Sequence, residues 1–331
     1  MMSTKWPTSF IQKRTCNRRI ELLFITLSKN AFFIEKGKVP KRASQRFRGL
    51  VPLKHMLPTD GYIDRVEEAT KDDIVIMSKS IEVKDFMYLK DLGIKFIFDV
   101  CDNKWRLGKD RQKNTAIMNA GCLHSNLITT TCGELKQKIY EETGKVALII
   151  DDPFERTIEE PTFNPDKKHL NICYFGGRKS FWLVNWEEVI ATLNFVCKHL
   201  GMTYTLNCIT QKHLLASKKL THHYHPHGPL KMYEWDYELQ NELVSKSDFV
   251  LLPIPENNPL VFSYKSPNRV IDSIAQGKYV ITTYGVTSYR QYDDFIGIGS
   301  LKNNIKWAMK YPKEVISKIK KGQKYIQKYH S

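Results

Sequence analysis

Tyr264-Lys-Ser-Pro-Asn-Arg-Val-Ile-Asp-Ser-Ile-Ala-Gln-Gly-Lys-Tyr-Val-Ile-Thr-Thr283 is the stretch from which the fold can be read. Its spacing predicts a helix that opens at Ser266, a good capping residue, with Pro267 preorganised for the first helical position. Val270, Ile271 and Ile274 recur on one helical face, Gly277 closes the helix, and Tyr279 to Thr283 reads as a buried strand. A helix start carries N–H groups without acceptors and the positive end of the helix dipole. These suit a diphosphate, and Lys265 and Arg269 stand beside them as counter-charges. A capped helix, a glycine and a strand also occur in any α/β protein, so the local pattern alone fits a ligand site and plain packing equally.

The rest of the chain repeats this strand and helix alternation. Apolar runs at Ile20 to Thr26, Asp73 to Met77, Lys95 to Val100, Asn126 to Thr130 and Val146 to Ile150 predict strands. Between them, Val83 to Leu92, Arg111 to Asn119 and Gly133 to Glu142 predict helices, so the first half reads as parallel βα units. Asp151 to Lys168 is polar, contains proline and has no apolar period, which makes it a linker. A second series follows: strands at His169 to Phe175, Met202 to Leu206 and Phe249 to Leu252, a helix over Trp186 to Leu200, and a closing helix with Val315, Ile316, Ile319, Ile326 and Tyr329 on one face. The expected architecture is α/β, with two Rossmann-like doubly wound domains facing across a cleft. Their expected boundaries are 1–157 and 158–310, with a terminal helix at 311–331.

A chain of 331 residues with 42% hydrophobic and 26% charged residues is long enough for two domains and has the composition of a folded globular protein. No run is long and apolar enough to span a bilayer and the first residues lack the apolar stretch of a secretory signal, so a cytoplasmic location is expected. Seven cysteines, widely spaced and without a CxxC pair, predict reduced, buried thiols. The net charge of +16 is concentrated at the ends: +10 in residues 1–50 and +8 in 302–331, which leaves the middle near neutral. Such ends attract an anionic membrane surface or a phosphate-bearing acceptor, or serve only as a solvated surface.

The opening stretch resembles the donor-binding signature of GT-B glycosyltransferases of the glycosyl transferases group 1 type. In that signature a carboxylate, seven residues and a second carboxylate precede a small-residue helix, a glycine and a Val-Ile strand. Asp272 falls on the second acid, which in the family holds the ribose, and Tyr264 falls on the first. The resemblance implies that Gly176, Gly177, Arg178 and Lys179, after the first strand of the second half, contact the donor diphosphate with Lys265, Ser266, Asn268 and Arg269. It also implies that the loop Pro253 to Ser263 lines the donor pocket. In the first half, Ala43 to Gly49 and Asp99-Val-Cys-Asp-Asn103 resemble the acceptor side of such enzymes. Asp99 or Asp102 would there orient or deprotonate an acceptor hydroxyl. Each acid also reads as a turn or cap, and Arg46 and Arg48 read either as phosphate ligands or as ion pairs.

His222-His-Tyr-His-Pro-His227 contains metal-ligating side chains, but the adjacent prolines and glycine and the lack of a nearby cysteine or acid argue against a dedicated site. No metal and no cofactor is expected, the nucleoside diphosphate sugar being a substrate. Two functions follow: transfer of a sugar from that donor to a glycan, lipid-linked or surface-polymer acceptor, as in polysaccharide biosynthesis, or non-catalytic binding of a nucleotide, glycan or polyanion. Specific nucleic-acid recognition is not expected, because no recognition-helix, RNP-like or zinc-finger pattern occurs.

Overall fold

A computed structural model of the protein describes residues 21–25, 46–51, 61–62, 65–78, 81–105, 110–164, 168–210, 229–254, 264–283 and 287–330. The histidine-rich segment 222–227, residues 43–45 and most of the loop 253–263 lie outside the described residues. The chain divides into two compact units: Met1–Pro153 with Tyr264–Ser266, and Phe154–Ser263 with Pro267–Ser331. The first break therefore falls four residues before the expected boundary at 157, and three residues from the signature stretch belong to the first unit.

In the first unit six parallel strands form one sheet: β1 (Glu21–Ile25), β2 (Gly61–Tyr62), β3 (Asp73–Ser78), β4 (Lys95–Val100), β5 (Leu127–Thr130) and β6 (Leu148–Ile149). Their order is β2-β1-β3-β4-β5-β6, so the winding reverses between β1 and β3, as in flavodoxin-like sheets. Helices α1 (Val83–Asp91), α2 (Arg111–His124) and α3 (Gly133–Thr143) lie between the later strands. Phe86 and Leu89 of α1 and Leu135 and Ile139 of α3 join Val75, Met77, Phe96 and Phe98 of the sheet in one buried cluster. Each such side chain contributes about 1.5–3 kcal/mol by leaving water. The sequence predicted a strand over Val146 to Ile150. Only Leu148–Ile149 pair, and Val146 is 69% and Leu148 53% exposed, because β6 is the sheet's last described strand.

The second unit contains β7 (His169–Phe175), α4 (Arg178–Leu183), α5 (Trp186–His199), β8 (Thr203–Thr210), β9 (Leu230–Glu234), α6 (Tyr237–Ser245), β10 (Phe249–Leu251), α7 (Asn268–Ala275), β11 (Tyr279–Thr282), β12 (Gly297–Ile298), α8 (Leu301–Lys310) and α9 (Pro312–Tyr329). Its six parallel strands run β12-β11-β10-β7-β8-β9, the Rossmann order, with the reversal between β7 and β10. Alternate residues of β7 feed opposite faces of the sheet. Leu170, Ile172 and Tyr174 join α5 and α8 residues such as Leu193 and Ile305, whereas Cys173 and Phe175 join Val270, Ile271 and Ile274 of α7.

Helix α9 belongs to the second unit. It buries Val315 and Ile319 with one face of that sheet and Ile326 with the other. Gln323 of α9 donates to the carbonyls of Ile274 and Ala275 at the end of α7, adding to the backbone N–H groups of Gly277 and Glu159 that they already accept.

Candidate functional site

In a doubly wound sheet the ligand end lies beyond the carboxyl ends of the strands at the reversal, here the ends of β7 and β10. Phe175 ends β7 and is followed by Gly176, Gly177 and α4. Arg269, in the first turn of α7, reaches back to this point. Its Nη1 donates to the Phe175 carbonyl at 3.3 Å and its Nη2 to the Tyr289 hydroxyl at 3.4 Å. The hydroxyl of the buried Tyr174 lies beside it, and burial holds that phenol well above its ordinary pKa, so it stays a neutral neighbour. Among the described residues Arg269 has no carboxylate partner. Taking a cation from water without a counter-charge is costly, so the site favours an anion.

Gly176 makes this placement possible. A Cβ there would sit 2.6 Å from the Tyr174 hydroxyl and 3.0 Å from Arg269 Nη1, so a side chain would push the guanidinium away. Gly177 is exposed and precedes α4, whose first residues are Arg178 and Lys179. Asn268 opens α7, and the Arg269 N–H has no acceptor within the helix. The chain thus brings Gly176, Gly177, Asn268 and Arg269 together at one end of the second sheet.

Lys265 and Ser266 take other roles. Lys265 Nζ lies 2.5 Å from Asp102 Oδ1, and Tyr264 packs against the first unit's core. The Ser266 hydroxyl donates to Asp152, so it does not cap α7, whose cap position is taken by Pro267 without a side-chain hydrogen bond. All these partners lie in the first unit. Lys265 and Ser266, expected at the diphosphate, thus pair with two acids of the first unit, Asp102 and the buried Asp152.

The expected acceptor acids are likewise committed. Asp99, at the end of β4, is 3% exposed and receives Arg48 Nη2 at 2.5 Å, Arg48 Nε at 3.1 Å and the Thr129 hydroxyl at 2.8 Å. Arg48 sits in a short π-helical turn, Arg46–Leu50, and also reaches the Ile150 carbonyl at 2.6 Å and Asp152 at 3.4 Å. Burial alone would lower the pKa of the Arg48 guanidinium, but Asp99 and Asp152 more than offset this and raise it. Asp99 and Arg48 thus form a buried ion pair at the end of β4. Arg46 is also buried. Asp102 is the partner of Lys265. Asp272 is buried in α7, where its Oδ1 accepts the Glu155 N–H at 3.2 Å. Among the described residues no three His, Cys, Asp or Glu side chains gather as a metal site.

Sequence reasoning missed Tyr174 and Tyr289, which flank Arg269 from distant positions. It also missed Asp152, which joins Arg48 to Ser266. No local pattern marks any of them.

No protein-family model matches the chain, and no curated protein matches it in sequence. Solved structures do match. HepE of Anabaena in complex with UDP is 10% identical, with 94% of this chain and 96% of that chain covered and a TM-score of 0.60. WaaG, a glycosyltransferase involved in lipopolysaccharide biosynthesis, is 12% identical over 93% and 95% of the two chains, with a TM-score of 0.58. The fold is that of the GT-B glycosyltransferases. An alpha-glucosyltransferase in complex with UDP shares this GT-B fold at 10% identity, a TM-score of 0.55 and 94% and 96% coverage. The chain spans about half the length of two further GT-B structures, TarM (53%) and the pneumococcal O-GlcNAc transferase GtfA (55%).

Proposed function

We propose that the protein transfers a glycosyl group from a nucleoside diphosphate sugar. The observation that carries this reading is Arg269, a cation without a carboxylate partner among the described residues, held beside Gly176 where the Rossmann order reverses. The diphosphate lies against Arg269, Asn268 and the backbone of Gly176 and Gly177. Negative charge grows on it as the glycosyl bond breaks, and a preorganised guanidinium and helix start stabilise that charge without reorganisation. The GT-B fold and the UDP bound in HepE and the alpha-glucosyltransferase support the choice of donor. The acceptor is a glycan, lipid-linked or surface-polymer hydroxyl, and the basic ends of the sequence favour one that carries phosphate or lies at an anionic surface.

The test is thermal stabilisation by a panel of nucleoside diphosphates, followed by titration with the best of them. Replacing Arg269 by alanine should weaken that ligand by about tenfold to a hundredfold, the worth of a charge-assisted hydrogen bond. An unchanged affinity in a folded variant would refute the assignment. A second reading, donor binding without transfer, is favoured by Tyr264 at the position of the family's first acid and by the ion pairs of Asp99 and Asp102. Turnover of any sugar nucleotide by the pure protein, measured as release of nucleoside diphosphate that Arg269→Ala abolishes, separates the two.

A further inference from the structure

Strand β6 is the last described strand of the first sheet, and its surroundings are apolar: Val146, Leu148, Ile149 and Ile150 are 69%, 53%, 39% and 45% exposed. Leu127 on the neighbouring β5 and Tyr140 on α3 are exposed at the same end of the unit. Soluble proteins usually guard an open edge with a charge or a proline inside it. Here the charges stand only at the two ends, in Lys145-Val-Ala-Leu-Ile-Ile-Asp151.

The direction of the backbone groups follows from one bond. The Ile150 N–H donates to the Thr130 carbonyl at 2.8 Å, so Ile150, and with it Leu148, face β5. By alternation, Ala147 and Ile149 direct their N–H and C=O to the open side. An antiparallel strand centred on Leu148 would set Ala147 opposite Ile149 and Ile149 opposite Ala147, and each pair would exchange both its hydrogen bonds. The same register sets Leu148 opposite Leu148, Val146 opposite Ile150 and Lys145 opposite Asp151. Lys145 and Asp151 have no ion-pair partner among the described residues of their own chain. The segment is therefore complementary to itself in backbone pattern, apolar stripe and charge.

We infer that β6 pairs antiparallel with β6 of a second copy of this chain, forming a two-fold symmetric dimer with the axis at Leu148. The interface is isologous, so each difference between the two ends of the segment is met by its opposite in the partner copy. Apolar cross-strand pairs add to the backbone bonds.

Sedimentation velocity of the full chain over a range of concentrations tests this. Wild type should show a reversible monomer–dimer equilibrium. Leu148→Lys, which brings two ammonium groups together at the axis, should leave a monomer with unchanged circular dichroism and melting. The register has its own test: Lys145→Asp or Asp151→Lys alone should weaken the dimer, and the double reversal should restore it. A wild type that remains monomeric, a dimer indifferent to Leu148→Lys, or a double reversal that fails to rescue would each overturn the inference. So would a monomer that binds lipid vesicles through Leu148, since the surface would then belong to a membrane.

Discussion

Lys265 and Arg269 stand four positions apart in one segment, but Lys265 meets Asp102 whereas Arg269 meets a carbonyl and a phenol. The two cations should therefore differ under substitution. Lys265→Ala removes a half-exposed ion pair and should change nucleoside diphosphate affinity by less than about twofold, whereas Arg269→Lys loses the fork that spans Phe175 and Tyr289 and should weaken binding about tenfold. Calorimetric titration of both variants checks the contrast. Asp99 gives a stability prediction instead. Breaking its buried pair with Arg48 by Asp99→Asn should lower stability by about 3–5 kcal/mol, read as a fall in the urea midpoint. Adding Arg48→Met should cost less than the sum of the two single changes, because the orphaned charge is then gone.

At the scale of the element, α7 shows what a sequence can and cannot say. Its apolar face, Gly277 and the following strand were legible because periodicity and turn chemistry are local, and β4 and β7 fall on their predicted spans. The start of the helix was misread by one position. Ser266 is a good cap by type, but its hydroxyl goes to Asp152, 114 residues away, and no local pattern reveals that. The strand β9 and helices α6 and α8 were not read either: Leu-Lys-Met-Tyr-Glu alternates poorly, and β9 is recognised by its ladder with β8. Gly277 carries a prediction of its own. It has φ +70°, and a Cβ would meet the Glu160 carbonyl oxygen at 2.8 Å, whereas Gly144, at φ +68°, has open space around it. Gly144→Ala should cost about 1–2 kcal/mol from backbone strain alone, and Gly277→Ala clearly more. Thermal melts of the two variants side by side isolate the steric part.

For the whole molecule, the division into two units provides an internal readout. Cys101, Cys122 and Cys132 are buried in the first unit and Cys173, Cys197 and Cys208 in the second. Burial pushes the thiols of Cys122 and Cys132 up to about 12 and that of Cys197 up to about 11. At neutral pH these groups should resist alkylation until their unit opens. Peptide mapping after labelling in increasing urea should show each trio modified together, and a trio that splits would show that its unit does not unfold as one. The sequence announced two α/β halves because each repeats strand and helix. It did not reveal that the main chain passes from one unit to the other after Pro153, after Ser263 and again after Ser266. That threading constrains any attempt to breed new donor specificities by recombination. A crossover at one seam alone would graft a foreign Tyr264–Ser266 onto Asp102 and Asp152, so a viable hybrid must be stitched at all three.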